Sequence, residues 1–280
     1  MDEHFRAFTF VDRINSIHPG VRIRGSYAIP QGIGSFPASL VAEAVGQLAA
    51  WSAMAALDFK CRPVAGLAAN IEMLSAVRPG QVLELAAELE TVDAEAVAYG
   101  GTAHADGVPV IRLQHCVGPM IPLEDFDDPQ VLRARLALLQ GDGAVPGGFR
   151  GVPTFPLDRS GGETGKSLRA TLQVPTSASF FADHFPRRPV FPGTLLMNAN
   201  LELAAALAAQ LPAPAVGESW VLRGVSDVKL RAFTPPGETL EIEARLNQHL
   251  PEGATLTVET RKGKRVISGA RVRLAPEGVV

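Results

Sequence analysis

Two long apolar stretches dominate the pattern of hydrophobic and polar positions along the chain. Residues 37–57 and 192–210 are rich in Ala and Leu, and each begins with a proline, which suits the first turn of a helix. A helix that is apolar on nearly every face must be enclosed by other elements. The pattern therefore predicts two buried helices. A membrane span is the weaker interpretation of the first stretch, because Glu43, Gln47 and Ser52 interrupt it and no basic flank sets an orientation.

Segments of alternating polarity or high β-propensity follow each predicted helix. Residues 81–89 and 239–246 each follow a Pro-Gly turn, and residues 108–117 and 265–274 form further strand-like runs. Each half of the chain thus predicts an early strand, a long helix and then several antiparallel strands. The architecture that we expect is one central helix wrapped by a curved antiparallel sheet in each half.

The chain repeats itself. Five blocks recur in the same order, which pairs Asp12 with Asp158, Ile29 with Val174, Phe36 with Phe191, Pro79 with Pro236, and Gly107 with Gly263. Between the second and third blocks the offset grows, so that the second half carries roughly ten extra residues at this point, the usual sign of an insertion in one copy of a repeat. Those extra residues include His184.

A connector separates the two repeats. Residues 128–140 have leucines at helical spacing with arginines between them, which predicts an amphipathic helix. Residues 141–151 contain glycines and a proline in the proportion typical of a linker. We therefore predict a first repeat over residues 1–125, a connector helix and linker over 126–151, and a second repeat over 152–280.

Composition narrows the classes of partner. The chain has 280 residues, of which 46% are hydrophobic, and its formal net charge of −3 supplies no basic field for nucleic acid or anionic lipid. Cys61 and Cys116 are not spaced like metal ligands or like a redox pair, so a reduced cytoplasmic protein is predicted. A single disulfide between these two cysteines is left open. Residues 1–13 contain no long apolar segment, and no export signal is expected. We expect no nucleic-acid partner and no membrane partner.

The most distinctive local segment, HFPRRPVFPG, begins at His184 and ends at Gly193. It places a histidine in a loop that leads into the second apolar stretch. Its prolines restrict the path of the loop, so the imidazole is held relative to the start of the helix. A histidine in this position can act as a general base near neutral pH, or it can merely cap a turn. Chemistry alone leaves both interpretations open.

The segment HFPRRPVFPGTLL resembles the signature of the 3-hydroxyacyl-ACP dehydratases, in which a histidine precedes the Pro-Gly pair that opens the central helix of a hot-dog fold. Residues 8–14 and 229–237 resemble other blocks of that family more loosely. The resemblance implies an α+β double hot-dog, with two repeats that each wrap a curved antiparallel sheet around a long central helix. It also implies dehydration of a 3-hydroxyacyl thioester to a trans-2-enoyl thioester.

In that family the histidine works with an acidic residue six positions after the helix-opening proline of the partner hot dog. This position is Asn198 in the second half, which cannot serve as an acid, and Glu43 in the first half, which lacks the histidine loop. The resemblance therefore implies one composite site of His184 and Glu43. A glutamate is rarely buried without a partner, so Glu43 either faces such a site or lies at a solvent-exposed edge of its helix.

The resemblance also implies roles for the site residues. His184 would remove a proton from C2, Glu43 would protonate the departing C3 hydroxyl, and the backbone N–H of Gly193 would polarise the thioester carbonyl. Gln47, one helical turn after Glu43, would hold Glu43 or a water molecule, or else lie on the surface. The remaining substrate-binding candidates are Phe191, Pro192, Thr194, Arg187 and Arg188.

The expected partner is an acyl carrier protein or a coenzyme A thioester. Arg187 and Arg188 would meet the acidic carrier or its phosphate, or they form an ordinary solvated face. No metal and no other cofactor is required for this chemistry. The segment GGETGKS at residues 161–167 lacks the first glycine of a phosphate-binding loop, so no nucleotide site is predicted.

Two alternative functions stay open. The first is an acyl thioesterase, which the His184 loop disfavours, and the second is a non-catalytic acyl-thioester binding protein. Two fused repeats already supply the basic dimer of the family, so the functional unit is either a monomeric double hot-dog or a higher homo-oligomer.

Overall fold

A computed structural model describes residues 4–214 and 219–278. Residues 1–3, which belong to the segment without an expected export signal, lie outside the described residues. The described α-helices are α1 (Ala38–Ala56), α2 (Pro129–Gln140) and α3 (Gly193–Ala208). The strands are β1 (Arg13–His18), β2 (Arg22–Ala28), β3 (Cys61–Pro63), β4 (Leu67–Met73), β5 (Val82–Val92), β6 (Ala96–Ala105), β7 (Val108–Pro122), β8 (Leu157–Glu163), β9 (Ser167–Gln173), β10 (Trp220–Leu230), β11 (Thr239–Leu250), β12 (Gly253–Lys262) and β13 (Arg265–Pro276).

The strands form one large antiparallel sheet. Their order is β1-β2-β5-β6-β7-β4-β10-β13-β12-β11-β9-β8, and β3 pairs with β7 beside this path. The two halves of the chain join in the middle of the sheet, where β4 pairs with β10 and Ile71 lies opposite Val225. With β3 set aside, the strands follow the same order from each outer edge to this junction, so the two halves of the chain contribute equivalent parts of the sheet.

The predicted fold class is wrong in its arrangement. We expected two hot dogs, each with its own sheet wrapped around a long central helix, whereas one 13-stranded sheet spans both halves. α1 packs on β2, β5 and β6, and α3 packs on β9, β11 and β12 of the same sheet. The fold is hot-dog-like only in this packing of helices on antiparallel strands. The physical reason is that β4 and β10 would each leave a row of unpaired backbone groups at an edge, and pairing them with each other satisfies both rows.

The positions of the helices are confirmed. α1 and α3 begin directly after Pro37 and Pro192, and most of their residues are buried. α2 confirms the predicted connector helix, and its N-cap Asp128 accepts a hydrogen bond from the backbone N–H of Gln130. The predicted strands after the Pro-Gly turns are found as β5 and β11. The domain boundaries themselves stay a prediction.

Two further predictions concern the environment of the chain. Cys61 and Cys116 are both free, so the two cysteines do not pair. No helix within the described part of the chain has the length and hydropathy needed to cross a membrane. The cytoplasmic location stays a prediction.

Candidate active site

A cavity of about 260 Å³ is lined by residues from both halves of the chain, including α1 and α3. Most of its lining is apolar, with large side chains that include Trp51, Met54, Leu196, Met197 and Leu201. The polar side chains in its wall include Glu43, Gln47, Arg62, His184 and Thr194. An apolar cavity with a few convergent polar groups is the usual form of a small-molecule site.

His184 lies between the short 3-10 helix Ser179–Ala182 and the start of α3. Its backbone N–H donates to the carbonyl of Phe180 at 2.9 Å, and its carbonyl accepts from the N–H of Val190 at 2.9 Å. The ring atom Nδ1 lies 3.0 Å from the carbonyl oxygen of Val190. Because a carbonyl oxygen only accepts, Nδ1 carries the proton, and Nε2 of the neutral ring is left unprotonated. His184 is thus held in the tautomer that a general base needs.

The surroundings of His184 favour its neutral form. Burial lowers the pKa of His184 below its ordinary value of 6.5, because desolvation disfavours the imidazolium. The negative charge of Glu43 and the hydrogen bond to Val190 raise this pKa, and the positive charge of Arg62 lowers it. The net shift is downward. Near neutral pH the ring is therefore uncharged, and its Nε2 atom can accept a proton.

Glu43 is half-buried on α1, and both of its carboxylate oxygens have partners. Oε2 accepts from Oγ1 of Thr194 on α3 at 2.8 Å, and Oε1 accepts from Nε2 of Gln47 at 2.9 Å. The amide of Gln47 also donates to the carbonyl of Phe8 at 3.0 Å and accepts from the N–H of Phe10 at 2.8 Å. These bonds determine which end of the amide faces Glu43. We call Thr194, Glu43 and Gln47 the Glu43 triad.

The N-terminus of α3 lies beside His184. Gly193 is the first residue of the helix, Pro192 is its N-cap, and no side chain caps this end. The first N–H groups of a helix have no acceptor within the helix, so they are available to an oxygen of a bound molecule. A Cβ atom at Gly193 would lie 2.6 Å from Cδ1 of Leu230. Only glycine fits this position without a shift of its neighbour.

The structure brings most of the predicted site residues to one cavity. Its lining contains His184, Phe191, Gly193 and Thr194 from the second half and Glu43 and Gln47 from the first. The two halves are joined at this point by the Thr194–Glu43 hydrogen bond. Pro192 is not part of the lining.

Arg187 and Arg188 lie outside the cavity lining. The guanidinium of Arg187 donates to the carbonyl of Glu124 at 2.7 Å and to Oδ2 of Asp128 at 3.1 Å. Arg188 lies over the ring of Phe126, with its Cζ 5.2 Å from the ring centroid. Both arginines tie the His184 loop to the segment that precedes α2. Contact with a carrier stays a prediction for them.

Sequence reasoning missed Asp183, the residue before His184. Its carboxylate accepts hydrogen bonds from the backbone N–H groups of Ala7 at 2.8 Å and Phe8 at 2.6 Å, and also from that of Phe5. Burial raises the pKa of Asp183, and the bonds from these N–H groups oppose the rise. Asp183 therefore fastens the N-terminal segment beside the cavity. No local pattern relates position 183 to residues 5–8.

Sequence reasoning also missed Arg62 on β3. Its guanidinium carbon lies 3.7 Å from the ring centroid of Phe185, and its Nη1 lies 3.8 Å from Oδ2 of Asp127. Burial lowers the pKa of Arg62 to about 10, although the charges of Asp127 and Glu43 oppose this shift. Arg62 thus brings a buried positive charge to the wall of the cavity.

A second set of hydrogen bonds mirrors the Glu43 triad. Oγ of Ser39 donates to Oδ1 of Asn198 at 3.2 Å, and Nδ2 of Asn198 donates to Oε1 of Glu202 at 2.8 Å. We call these three residues the Asn198 triad. The pairings show that α1 and α3 lie antiparallel, since the residue numbers rise along one helix as they fall along the other. The Asn198 triad has no histidine loop, and Glu202 is exposed.

Within residues 4–214 and 219–278, no group of three or more His, Cys, Asp or Glu side chains is arranged to hold a metal ion.

Comparison with known sequences relates the second half to dehydratases. Residues 160–270 match the family model of ApeI-like dehydratases, described as ApeI dehydratase. The chain is 34% identical over 83 residues to the 3-hydroxyacyl-[acyl-carrier-protein] dehydratase FabZ of Rickettsia felis and to that of Rickettsia bellii. The matched residues cover 30% of this chain and 57% of each relative, so the chain spans little more than half the length of these relatives. Over the matched part, the resemblance to the dehydratases is confirmed.

Comparison with solved structures shows a similar fold along nearly the whole chain. A putative oleoyl thioesterase from Lactobacillus plantarum has a TM-score of 0.60 and 11% identity, with 92% of this chain and 97% of that chain covered. The 12:0-ACP thioesterase from Umbellularia californica has a TM-score of 0.54 and 11% identity, with 91% and 94% covered. At this level of identity the likeness concerns the fold alone.

Proposed function

We propose that this protein removes water from a 3-hydroxyacyl thioester and yields a trans-2-enoyl thioester at one composite site. The observation that carries the proposal is that His184 of the dehydratase-like half and Glu43 of the other half line one apolar cavity. The family match covers the half that supplies His184, and the matched relatives are named as dehydratases of acyl-carrier-protein thioesters. We take the carrier of the substrate to be acyl carrier protein or coenzyme A.

The proposed reaction is the elimination of water across the C2–C3 bond of the substrate. Nε2 of His184 takes the proton from C2, and the electrons of that C–H bond form the C2–C3 double bond. The C3–O bond breaks, and the hydroxyl leaves as water with a proton from Glu43. The backbone N–H at Gly193 donates to the thioester oxygen, which bears negative charge while C2 loses its proton.

The hydrogen bonds of Glu43 suit the role of an acid. Gln47 presents only an N–H donor to Oε1, so a proton on the carboxyl group is best placed on Oε2. The hydroxyl of Thr194 faces Oε2, and it can donate to the carboxylate or rotate to accept from the protonated acid. After water leaves, the pair is an imidazolium and a carboxylate. Transfer of one proton from His184 to Glu43 restores the starting state.

The remaining predicted residues fit this proposal as follows. The acyl chain occupies the apolar part of the cavity, and Phe191 and Thr194 contact it beside Gly193. The carrier stays outside, where Arg187 and Arg188 on the His184 loop are the candidate contacts. One chain supplies both His184 and Glu43, so a monomer is sufficient for turnover.

The proposal is tested with a short and a long 3-hydroxyacyl thioester, by following enoyl formation and free thiol release together. Wild-type protein is expected to form the enoyl ester, and His184→Ala and Glu43→Gln are each expected to lower the rate by about 100-fold or more. Circular dichroism checks that both variants are folded. Thiol release without enoyl formation would assign a thioesterase, and neither product at either chain length would assign a binding protein.

A further inference from the structure

Arg62 is a largely buried cation whose hydrogen-bond donors are not all satisfied. Its side chain is 14% exposed, and its Nε and Nη1 atoms are buried without a hydrogen-bond acceptor in the part of the chain that the structure describes. The nearest carboxylate oxygen, on Asp127, is 3.8 Å from Nη1, which is too far for a hydrogen bond. A buried donor without an acceptor is unfavourable, and more so when it is charged.

The neighbours of Arg62 hold its side chain in place, but they do not accept hydrogen bonds from its Nε and Nη1 atoms. The ring of Phe185 stacks against the guanidinium, and a ring face offers no strong acceptor for the N–H groups in the guanidinium plane. Asp127 already accepts from the backbone N–H of Asp128 at 2.8 Å and lies 3.4 Å from the ring of His4. The acceptor must therefore come from outside these residues, as an oxygen of a water molecule or of a bound substrate.

The position of Arg62 indicates which oxygen that is. Arg62 lines the same cavity as His184 and Glu43, and its charge acts on the pKa of His184. In the proposed reaction, Glu43 serves the C3 hydroxyl and Gly193 serves the thioester carbonyl. The next oxygen that every acyl-carrier-protein or coenzyme A thioester carries is the amide carbonyl closest to the sulfur. A guanidinium has only donors, and a carbonyl oxygen is a suitable acceptor for it.

We propose that Arg62 binds the carrier arm of the substrate, by donating a hydrogen bond to the amide carbonyl nearest the thioester sulfur. This inference rests on the proposed function, because it takes the substrate to be such a thioester. It assigns a substrate-binding residue to β3 of the first half, on the wall that adjoins the His184 loop.

The test uses two thioesters of one 3-hydroxyacyl chain that differ only in the thiol. One is the N-acetylcysteamine ester, which contains the amide, and the other is an S-alkyl ester of equal length without the amide. Arg62→Met is expected to lower kcat/KM about 10- to 100-fold for the N-acetylcysteamine ester, the range for one charged hydrogen bond. For the S-alkyl ester, Arg62→Met and the wild type are expected to agree when both are measured above the pH range in which His184 titrates.

Two further variants control this experiment. Arg133→Met removes an arginine that also lies over a ring, that of Phe59 at 5.2 Å, and pairs with Asp58, but that does not line the cavity. It is expected to change neither ester. Arg62→Lys keeps the charge without the planar fork, and it replaces Arg62→Met in the comparison if the methionine variant does not fold. A smaller loss confined to the amide ester is then expected.

Equal losses with both esters in a variant that has the native circular dichroism spectrum would overturn the inference. Arg62 would then act through the fold or through His184, and not through the amide of the substrate. If the wild type turns over neither ester, the proposed function fails. The inference is then decided by calorimetric binding of the two enoyl esters, where Arg62→Met must weaken only the amide ester.

Discussion

The Glu43 triad and the Asn198 triad occupy mirrored places on one antiparallel helix pair. In both, a hydroxyl near the start of one helix donates to the other helix, at 2.8 Å and 3.2 Å, and a second bond follows one turn later, at 2.9 Å and 2.8 Å. The carboxylate lies next to the partner helix in the first triad and at the solvent in the second. The bond that joins the helices needs only an acceptor, so an amide or a carboxylate serves it equally well.

The loops that precede the two helices explain the difference in chemistry. Before α3, the loop contains Asp183 and His184, and the imidazole lies at the cavity. Before α1, residues 29–37 contain no titratable side chain at all. A carboxylic acid is useful to an elimination only where a base is near. Asn198, at the equivalent position of α3, makes the hydrogen bond between the helices, but it is not an acid, and the loop before α1 supplies no base.

The largest change in activity is expected when the carboxyl group is removed from the Glu43 triad and one is introduced into the Asn198 triad. Glu43→Gln keeps the acceptor for Gln47, and its NH2 group can donate to the hydroxyl of Thr194, but it has no acidic proton to donate, so kcat is expected to fall about 10²- to 10⁴-fold. In this background, Asn198→Asp with Glu202→Gln recreates the first triad in the mirrored position. Enoyl formation measured by initial rates is expected to stay at the reduced rate of Glu43→Gln, because no histidine lies there. Recovered enoyl formation would contradict the assignment of His184.

The next effect concerns the starts of the two helices. Gly193→Ala would place a Cβ 2.6 Å from Cδ1 of Leu230, so the side chain of Leu230 must turn within the cavity wall or the start of α3 must shift away from the thioester oxygen. We expect kcat to fall about 10- to 100-fold, in the lower range for loss of an oxyanion donor.

Two controls accompany this substitution. Ala38→Gly, at the corresponding first residue of α1, is expected to leave kcat unchanged. Leu230→Ala is expected to restore part of the activity of Gly193→Ala, because it removes the close contact. Full activity of Gly193→Ala alone would contradict the expected shift of the helix start and would show that Leu230 accommodates the added Cβ.

The last members of the two triads, Gln47 and Glu202, are expected to contribute differently to the stability of the fold. Gln47→Leu leaves the N–H of Phe10 without its acceptor, so the free energy of unfolding is expected to fall by about 1–3 kcal/mol. Glu202→Leu removes an exposed partner, and a change within about 0.5 kcal/mol is expected. Urea unfolding measures both. A loss for Gln47→Leu within about 0.5 kcal/mol would mean that the bonds of Gln47 to the N-terminal segment contribute nothing.

The smallest expected effect is a shift in the pKa of His184. Burial lowers the pKa of His184, so the acidic limb of the kcat/KM profile is expected below pH 6.5. An ionised Glu43 raises this pKa, so Glu43→Gln should lower it wherever Glu43 is a carboxylate and should not raise it, whereas Arg62→Met should raise it. NMR titration of the His184 ring measures these shifts. Asn198→Ala exchanges one uncharged residue for another and should leave the titration unchanged, and an upward shift in Glu43→Gln would contradict the assigned pair.

Much of the secondary structure could be predicted because its causes are local. An Ala- and Leu-rich segment after a proline forms α1 and α3, and a Pro-Gly turn followed by alternating residues forms β5 and β11. His184 and Glu43 could be named as a pair because the repeat and the family resemblance align them. Asp183 and Arg62 could not, since Asp183 binds residues 5–8 and Arg62 lies in a strand of three residues.

By itself, the sequence determined the two buried helices, the internal repeat and the complementary loss of histidine and acid in its two copies. Only the tertiary structure decided that β4 and β10 pair to make one sheet, that Gln47 is bound to the N-terminal segment, and that Arg62 keeps donors without acceptors. The reason is physical. Helix formation depends on neighbours within a few residues, whereas edge pairing and hydrogen-bond satisfaction depend on groups that are brought together from distant parts of the chain.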